Sequence, residues 1–332
     1  MPTFPTETPA TSPALAVHTL QGQTMGTAWC VKLAARPQAN LHALHAGIQS
    51  QLDRVVAQMS TWEATSDITR YNQSAGGTWQ ALPEEFFTVL SCALQTARDS
   101  DGAYDPTIGP LVQAWGFGAA PRAMQVPPTE DLAAARRRVG WQQIRLQTAS
   151  RSAWQPGGVQ LDLSAIAKGY AVDLVACHLR AKGIPAALVE VGGELYGYGR
   201  KPDGSPWQVL VEAMPDQAMD EAENPARVIA LDGMAVATSG DHWHAFEQAG
   251  RRYSHTLDPR TGIPVQHAPA AVTVLAADAM QADAWATALT VMGAGAGLDF
   301  AASRGLAARF VSRTDSGLTE RMTETFKARL PP

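Results

Sequence analysis

The chain has 332 residues, of which 45% are hydrophobic and 17% are charged, an ordinary composition for a folded globular protein. Its 26 basic and 31 acidic residues leave a net charge of -5, so it lacks the cationic field that binding to nucleic-acid backbones requires. No apolar run reaches the ~18 residues of a membrane span. The three cysteines are scattered without CxxC spacing, which predicts neither a disulfide framework nor a zinc site.

The first two dozen residues are rich in Pro and Thr, and they contain neither the basic nor the apolar segment of an export signal. They are interpreted as a flexible leader, with residues 1–20 outside the fold and a single domain over residues 21–332. As written, the sequence favours a cytoplasmic protein; a periplasmic location would follow if an export signal is missing from it.

The first half of the chain mixes helices with short strands. Apolar residues within 39–59 recur at three- and four-residue spacing, which predicts an amphipathic helix. A second helix is predicted over 83–98, with Pro and two Glu in its first turn, and a third over 129–140, capped by Thr at its start and ended by Gly. The alternating segments 143–147 and 159–164 predict strands.

The second half contains more strands. A helix is predicted over 166–182, closed by Gly183, and it leads into the apolar strand 186–191. A long helix over 279–292 follows the strand AVTVLAA. Further strands are predicted at 207–211, 227–231, 234–238, 271–276 and 308–312. Adjacent short strands with interspersed helices favour an α+β fold over a regularly alternating doubly wound fold.

The common nucleotide and hydrolase signatures are absent, so functional residues are sought among polar side chains that a purely structural element would not need. In LDLSAIAKGYAVD, residues 161–173, Asp162 precedes a predicted helix start that carries Ser164 and Lys168. Backbone N–H groups at a strand-to-helix junction attract phosphate oxygens, and Lys168 adds a cation. The alternative is that Ser164 only caps the helix and Lys168 is a surface residue.

A metal-binding pattern lies in MQADAWATAL, residues 280–289, where Asp283 and Thr287 are four residues apart and share one face of a predicted helix. Mg²⁺ is typically bound by one or two carboxylates and keeps water and phosphate oxygens as its other ligands. One carboxylate and one hydroxyl a turn later meet that demand. The alternative is an ordinary helix in which the Thr287 hydroxyl bonds back to the carbonyl of Asp283.

A candidate base is His255, which follows a predicted strand and precedes a turn at residues 258–262. A histidine on a loop near the end of an element is well placed to accept a proton near neutral pH. The other histidines of this region are not expected to have such a role; they are His242, His244 and His267.

Three further segments stand out: Met25-Gly26-Thr27, MSTWEATSDITRYN at 59–72, and YDPTIGPLVQAWGFG at 104–118. In the last of them, aromatic residues flanked by glycine at 115–118 give a flat ring a stacking face and expose backbone N–H groups; the alternative is that each segment belongs to the core. Together with the motifs above, and in order from Met25 to Met292, these segments closely resemble the ApbE-type FAD:protein FMN transferases. The resemblance implies a single α+β unit of two interlocked subdomains with FAD held between them. It implies Mg²⁺ ligation by the Ala165 carbonyl, Asp283 and Thr287. The residues that it implies in FAD binding are Met25, Trp62, Trp115, Gly116, Phe117, Asp162, Lys168, Thr238, Ser239, His255 and Thr256.

The implied activity is Mg²⁺-dependent transfer of FMN from FAD to a threonine hydroxyl of a partner protein, with release of AMP. In related proteins the acceptor threonine lies in a Ser/Thr-Gly-Ala-Thr-type motif of a flavin-bearing electron-transfer subunit; this chain has no such motif and is expected to be the donor. Lys168 and Asp283 would act at the pyrophosphate, and His255 would receive the threonine proton. The alternatives are an FAD pyrophosphatase, a non-catalytic FAD-binding module, and an FAD-dependent oxidoreductase, the last without a dinucleotide fingerprint.

Overall fold

The computed structural model describes residues 14–119, 123–211, 226–240, 245–266, 269–314 and 317–331. Its helices are α1 (Leu41–Met59), α2 (Asp67–Gln73), α3 (Glu84–Asp99), α4 (Gly109–Ala114), α5 (Thr129–Arg136), α6 (Ala167–Ala181), α7 (Ala279–Met292), α8 (Ala296–Ser303) and α9 (Glu324–Lys327). Its strands are β1 (Ala16–Thr24), β2 (Thr27–Ala35), β3 (Thr78–Ala81), β4 (Leu146–Gln147), β5 (Ser152–Gln155), β6 (Ala186–Val191), β7 (Glu194–Tyr198), β8 (Trp207–Val211), β9 (Arg227–Leu231), β10 (Met234–Gly240), β11 (Ala245–Gln248), β12 (Arg251–Ser254), β13 (Leu257–Asp258), β14 (Ile263–Pro264), β15 (Ala271–Ala276), β16 (Ala307–Thr314) and β17 (Gly317–Met322). None of these helices combines the length and the hydropathy needed to cross a membrane.

The main sheet has eight strands among the described residues, in the order β1-β2-β6-β7-β10-β15-β16-β17, and neighbouring strands are antiparallel. Successive side chains of a strand point to opposite faces, so the sheet has a core on each side. On β2, Trp29, Val31 and Leu33 pack into the larger core with helices α1, α3, α6 and α7. Ala34 faces the smaller core, which is covered by the β8–β9 ribbon and α9. The site described below lies at the helical layer.

The α+β prediction is confirmed, and most predicted elements of the second half lie within a few residues of their expected bounds. Helices α1, α3, α6 and α7 and strands β6, β8, β9, β10, β15 and β16 are all present. The third predicted helix is α5, but Pro128 occupies its N-cap and no side chain caps it. Thr129 is therefore the first helical residue, because the proline ring fixes a backbone angle compatible with entry into a helix.

The interpretation of the N-terminus as a leader is wrong for residues 16–20. These residues belong to β1, which pairs with β2 along its whole length as the edge of the main sheet. The side chains of β1 alternate between exposed and partly buried, so the strand carries a period-2 pattern that its Pro- and Thr-rich surroundings obscured. The prediction of one domain over residues 21–332 stays a prediction.

The predicted strand over residues 159–164 is also wrong, although Val159, Leu161 and Leu163 are fully buried as its alternation required. The backbone of this segment is satisfied by other partners. Leu161 exchanges two hydrogen bonds with the side-chain amide of Asn72, and the Asp162 N–H donates to the carbonyl of Pro106 at 2.8 Å. Gln160 forms one isolated bridge with Ile108. Period-2 burial can therefore arise in an extended segment that is not part of a strand.

Gly22 on β1 tests the contribution of the missed edge strand. A β-carbon built on Gly22 would lie 2.6 Å from Nε1 of Trp29, whose indole N–H donates to Gln49 at 2.9 Å. We expect Gly22→Ala to displace this ring and lower the free energy of unfolding by about 1–3 kcal/mol, measured by urea denaturation. The control is Gln21→Ala, because the Gln21 side chain is exposed. Equal stability of the two variants would contradict the close packing of β1 on Trp29.

Candidate active site

Helices α6 and α7 cross at Gly169, and the crossing leaves no room for a side chain there. A β-carbon on Gly169 would lie 2.6 Å from the carbonyl carbon of Ala279 and 2.9 Å from Cβ of Asp283. The close approach allows the Gly169 N–H to donate to Oδ2 of Asp283 at 3.0 Å. A buried carboxylate on α7 is thereby fixed against the first turn of α6.

The hydrogen bond from Gly169 to Asp283 satisfies a donor at the start of α6. Helix α6 begins at Ala167, so Gly169 lies in its first turn, where backbone N–H groups have no partner within the helix. The carboxylate of Asp283 caps this N–H. The Ala165 carbonyl, directly before the N-cap residue Ile166, receives no hydrogen bond from the described residues.

Thr287 follows Asp283 by one turn on α7 and is partly exposed. The Thr287 hydroxyl makes no hydrogen bond to the Asp283 carbonyl, whereas Thr290 does bond back, to Ala286 at 2.8 Å. The back-bonding alternative for Thr287 is therefore wrong, and its oxygen stays available on the face of Asp283. No group of three His, Cys, Asp or Glu residues suited to a metal occurs in the described chain, so a cation here would depend on carbonyl and hydroxyl oxygens.

Lys168 forms an ion pair with Glu194 at 2.5 Å, at the start of β7. Lys168 is accordingly not a free surface residue, and Ser164 does not cap α6, because Ile166 holds the N-cap position without a side-chain bond. Both alternatives considered for this segment are wrong. Lys168, Glu194 and Asp283, hereafter the charge cluster, place one ammonium group between two buried carboxyl groups.

The pKa values of the charge cluster reflect its composition of one ammonium group and two carboxyl groups. Burial raises the pKa of Glu194 to about 8 and also raises the pKa of Asp283, with Lys168 opposing both shifts. Burial acts to lower the pKa of Lys168, but the charges of Glu194 and Asp283 outweigh it and raise that pKa. The ammonium group of Lys168 is therefore charged near neutral pH. It is the cation that stabilises the ionised form of each of the two carboxyl groups.

The turn after β1 lies against the charge cluster. Met25 occupies this turn with a positive φ of 50°, and its side chain packs on the main core. Gly192 has a φ of 59°, and a β-carbon there would meet Cγ2 of Thr27 at 2.8 Å and Cδ of Lys168 at 3.3 Å. Glycine at position 192 thus lets the Met25-Gly26-Thr27 turn approach the stem of Lys168.

Asp162 joins the start of α6 to the segment that precedes α4. One of its carboxylate oxygens accepts the Ser164 N–H at 2.9 Å, while its own N–H binds Pro106. Tyr104, two residues before Pro106, is buried, and its hydroxyl has no hydrogen-bond partner among the described residues. Burial, together with the nearby charge of Asp283, raises the pKa of Tyr104 well above its ordinary value.

A second group of predicted residues gathers around four rings, Trp115, Phe117, Phe246 and Tyr253, hereafter the aromatic cluster. The buried indole of Trp115 donates its N–H to the Gly262 carbonyl at 3.0 Å. The ring of Phe117 meets that of His255 edge-on, with 6.4 Å between centroids.

Two further FAD-contact predictions, Gly116 and Thr256, fall within the backbone of the aromatic cluster or next to it. Gly116, between two of its rings, has a positive φ of 78°. Thr256, directly after His255, is buried, and its N–H donates to Ser254 Oγ at 3.2 Å. The structure thus brings Trp115, Gly116, Phe117, His255 and Thr256 into one neighbourhood.

Other predicted residues lie apart from these two groups. The side chain of Trp62 is 70% exposed beyond the end of α1. Thr238 shares a hydrogen bond of 3.0 Å with Thr273 on the sheet face that also carries Val236, the face of the smaller core. Ser239 points to the opposite, helical face by strand alternation. The histidines of no expected role, His242, His244 and His267, lie outside the described residues.

No sequence motif identified Glu194, Tyr104 or Asp173 as part of this region. Glu194 follows the apolar strand β6 and a Gly pair, and a charged residue directly after a buried strand is a usable signal. Asp173 lies one turn after Gly169 on α6, and its carboxylate accepts the N–H groups of Ala279 and Met280. No local pattern predicts that contact, because its partners are more than 100 residues away.

The fold and these residues define an α+β protein with a set of oxygen donors and a paired lysine at a helix crossing, and with a separate aromatic cluster. A family model described as the ApbE family matches residues 25–310. The FAD:protein FMN transferase of Haemophilus influenzae is 37% identical over 317 residues, covering 94% of this chain and 91% of that protein. The one from Vibrio cholerae is 37% identical over 316 residues, covering 95% and 93%.

Solved structures agree with these relatives. The crystal structure of Pseudomonas stutzeri flavinyl transferase ApbE matches with a TM-score of 0.87 and 39% identity, over 96% of this chain and 98% of that one. The flavin transferase ApbE from Vibrio cholerae matches with a TM-score of 0.86 and 34% identity, over 95% and 100%. This chain belongs to the ApbE family, as the sequence resemblance predicted.

The substitution Gly169→Ala tests the helix crossing, because helix propensity and close packing predict opposite changes in the free energy of unfolding. Helix propensity alone would make alanine stabilising by up to about 1 kcal/mol. Because the added methyl group would collide with Ala279 and Asp283, we expect the free energy of unfolding to fall by about 1–3 kcal/mol in urea denaturation. The matched control is Gly295→Ala, whose methyl group meets no atom within 4 Å. A stabilised Gly169→Ala variant would rule out the close crossing.

Glu194 predicts a pH dependence of stability. Its folded-state pKa of about 8 lies above the ordinary value of 4.5, so the folded chain binds this proton more tightly than the unfolded chain does. That stabilisation is complete below the unfolded pKa and is lost as pH rises through the folded pKa. We expect wild type to lose stability relative to Glu194→Gln between about pH 5 and about pH 8.5, by at most ~1.4 kcal/mol per pH unit.

The measurement is a pair of urea titrations across that pH range, with Glu190→Gln on β6 as a control for general charge effects. A stability difference that stays constant with pH, or that shifts in favour of wild type as pH rises, would contradict the burial-raised pKa of Glu194.

Proposed function

We propose that this chain is a Mg²⁺-dependent FAD:protein FMN transferase, which moves FMN from FAD to a threonine hydroxyl of a partner protein and releases AMP. The observation that carries the proposal is the fixed, buried carboxylate of Asp283 beside Lys168 at the start of α6. The chain has this arrangement within a family whose curated relatives, including those of H. influenzae and V. cholerae, are named for the transfer.

The residues present fit a magnesium ion. Asp283 is desolvated, and one of its oxygens has no donor among the described residues; the Ala165 carbonyl is likewise unengaged, and the Thr287 hydroxyl is available one turn along α7. Carboxylate, carbonyl and hydroxyl oxygens that no protein donor engages are the hard donors that Mg²⁺ prefers. When bound, Mg²⁺ would neutralise charge on the pyrophosphate oxygens of FAD.

Lys168 would hold the pyrophosphate from the protein side. Its ammonium group is fixed by Glu194 and stays charged, and it lies on the first turn of α6, where the helix dipole and N–H groups favour anions. Asp162, at the approach to the same helix, would fix the loop that contacts the dinucleotide. A fixed cation needs no reorganisation as charge develops on the transferred phosphoryl group.

The transfer itself would form one bond and break one. The threonine oxygen attacks the phosphorus on the FMN side of FAD, the bond from that phosphorus to the bridging oxygen breaks, and AMP leaves with that oxygen. His255 would take the hydroxyl proton, held in place by the edge-on contact with Phe117. The product is a phosphoester between FMN and the acceptor threonine.

The flavin end of FAD would lie against the residues that the family resemblance implies. The hydrogen bond from Trp115 to Gly262 holds the Trp-Gly-Phe segment rigid, so Gly116 and Phe117 would present a preformed surface to the flavin ring. The remaining proposed FAD contacts are Met25, Trp62, Thr238, Ser239 and Thr256. The proposed acceptor is a flavoprotein subunit with a Ser/Thr-Gly-Ala-Thr-type motif.

The proposal is tested with purified protein, FAD, Mg²⁺ and a threonine-bearing acceptor peptide of that motif. We expect the peptide to gain the mass of FMN as AMP is released, and EDTA to stop both. Asp283→Asn and Thr287→Val should lower the rate by at least about 100-fold, since each removes an oxygen from the proposed cation site. Thr290→Val is the matched control, because that hydroxyl is engaged within α7.

Two outcomes would contradict the transferase proposal in different ways. AMP release at the same rate with and without the peptide, and no peptide modification, would favour an FAD pyrophosphatase. Stoichiometric retention of FAD with no AMP would favour a non-catalytic binding module.

A further inference from the structure

Helix α7 begins with two carboxylates at its N-terminus, and they come from different helices. Asp278, its own N-cap residue, accepts the Gln281 N–H at 2.9 Å. Asp173, on α6, accepts the N–H of Ala279 at 2.8 Å and the N–H of Met280 at 2.9 Å. Ordinary N-capping needs only the residue at the N-cap position, which is Asp278 here. The carboxylate of Asp173 therefore adds a contact between α6 and the start of α7.

The two hydrogen bonds of Asp173 fix the register between the helices. Gly169, one turn earlier on α6, lies directly against Ala279 and donates to Asp283. A helix rises 1.5 Å per residue, so a slip of α7 by one residue along its axis would break the 3.0 Å bond between Gly169 and Asp283. Such a slip is opposed by the bidentate contact of Asp173, because both of its bonds would have to break together.

The register between α6 and α7 also determines the positions of the oxygens proposed as cation ligands. Asp283 lies one turn after Ala279 on α7, and Ala165 lies directly before Ile166, the N-cap residue of α6. The distance between the Ala165 carbonyl and the Asp283 carboxylate is therefore set by how α7 sits on α6. The backbone contact at Gly169 sets how close the helices come, and the Asp173 bonds set their relative position along the axis.

We infer that Asp173 is a positioning residue for divalent-cation binding, which locks α7 onto α6 so that Asp283, Thr287 and the Ala165 carbonyl converge. This inference rests on the proposed function, because it takes the same three oxygens as the cation ligands. Asp173 does not touch the cation; it acts through the position of α7.

The competing reading is that Asp173 only stabilises the fold. Asp278 provides a matched control, because Asp278→Ala also removes a carboxylate cap from the start of α7 but leaves the bonds between α6 and α7 intact. Asp173→Asn keeps one acceptor oxygen and turns an amide donor towards a backbone N–H. Each change should lower the urea concentration at the midpoint of unfolding, because each removes a carboxylate cap from the start of α7. Only the change at Asp173 should alter cation binding.

The experiment measures free Mn²⁺ by electron paramagnetic resonance in titrations of the full chain, with urea denaturation of each variant in parallel. Measurements are made near pH 8.5, because burial raises the pKa of Asp173 to about 7 and the carboxylate is then ionised. We expect Asp173→Asn to weaken Mn²⁺ binding by about 10–100-fold, and Asp278→Ala to stay within about twofold of wild type.

Asp173→Glu is a second variant in case the asparagine variant is unstable. It keeps a carboxylate but adds one methylene group, which displaces the start of α7, and it should weaken Mn²⁺ binding in the same direction. Mn²⁺ affinity of both Asp173 variants within twofold of wild type, or an equal loss in Asp278→Ala, would overturn the positioning role.

Asp283→Asn separates this inference from the proposed function. Loss of Mn²⁺ binding in Asp283→Asn, with wild-type binding in the Asp173 variants, would overturn the role of Asp173 alone. Failure of the wild-type chain to bind Mn²⁺, or full binding by Asp283→Asn, would overturn both the cation site and the role of Asp173.

Discussion

The contact between Gly169 and Asp283 is the constraint on which the rest of the site depends. Because position 169 has no side chain, two helices approach closely enough for a backbone N–H of one to bind a carboxylate of the other. The same hydrogen bond satisfies an N–H group of the first turn of α6 that has no partner within the helix. The absence of a side chain at position 169 therefore fixes the carboxylate of Asp283 at the start of the helix that carries Lys168.

Near this contact two acidic groups share one basic group, and this excess of acid favours a cationic ligand. Glu194 and Asp283 are buried with a single ammonium group between them, and burial raises the pKa of both carboxyl groups. Ionising both buried carboxyl groups beside a single ammonium group is therefore unfavourable in the isolated protein. The local cost of this arrangement is consistent with a site shaped for a ligand, since functional sites commonly depart from the most stable arrangement.

Local pattern predicted the helices and central strands well, because α6 and α7 carry their own apolar periodicity. It also identified Lys168, Asp283 and Thr287, whose spacing has chemical meaning within one element. It failed for β1, whose alternation is weak beside a Pro- and Thr-rich segment. It did not predict the role of Asp173, because that role depends on a helix more than 100 residues further along the chain. The Ala165 carbonyl was reached only through family resemblance, since a backbone oxygen leaves no mark in sequence.

The most direct test of the account is a crystal structure of the protein soaked with Mn²⁺, with the ion located by anomalous scattering. We expect one strong peak within ligand distance of the Ala165 carbonyl, the Asp283 carboxylate and the Thr287 hydroxyl, with the Gly169 N–H still bound to Asp283. A peak elsewhere in the molecule, with these three oxygens left without metal, would contradict it.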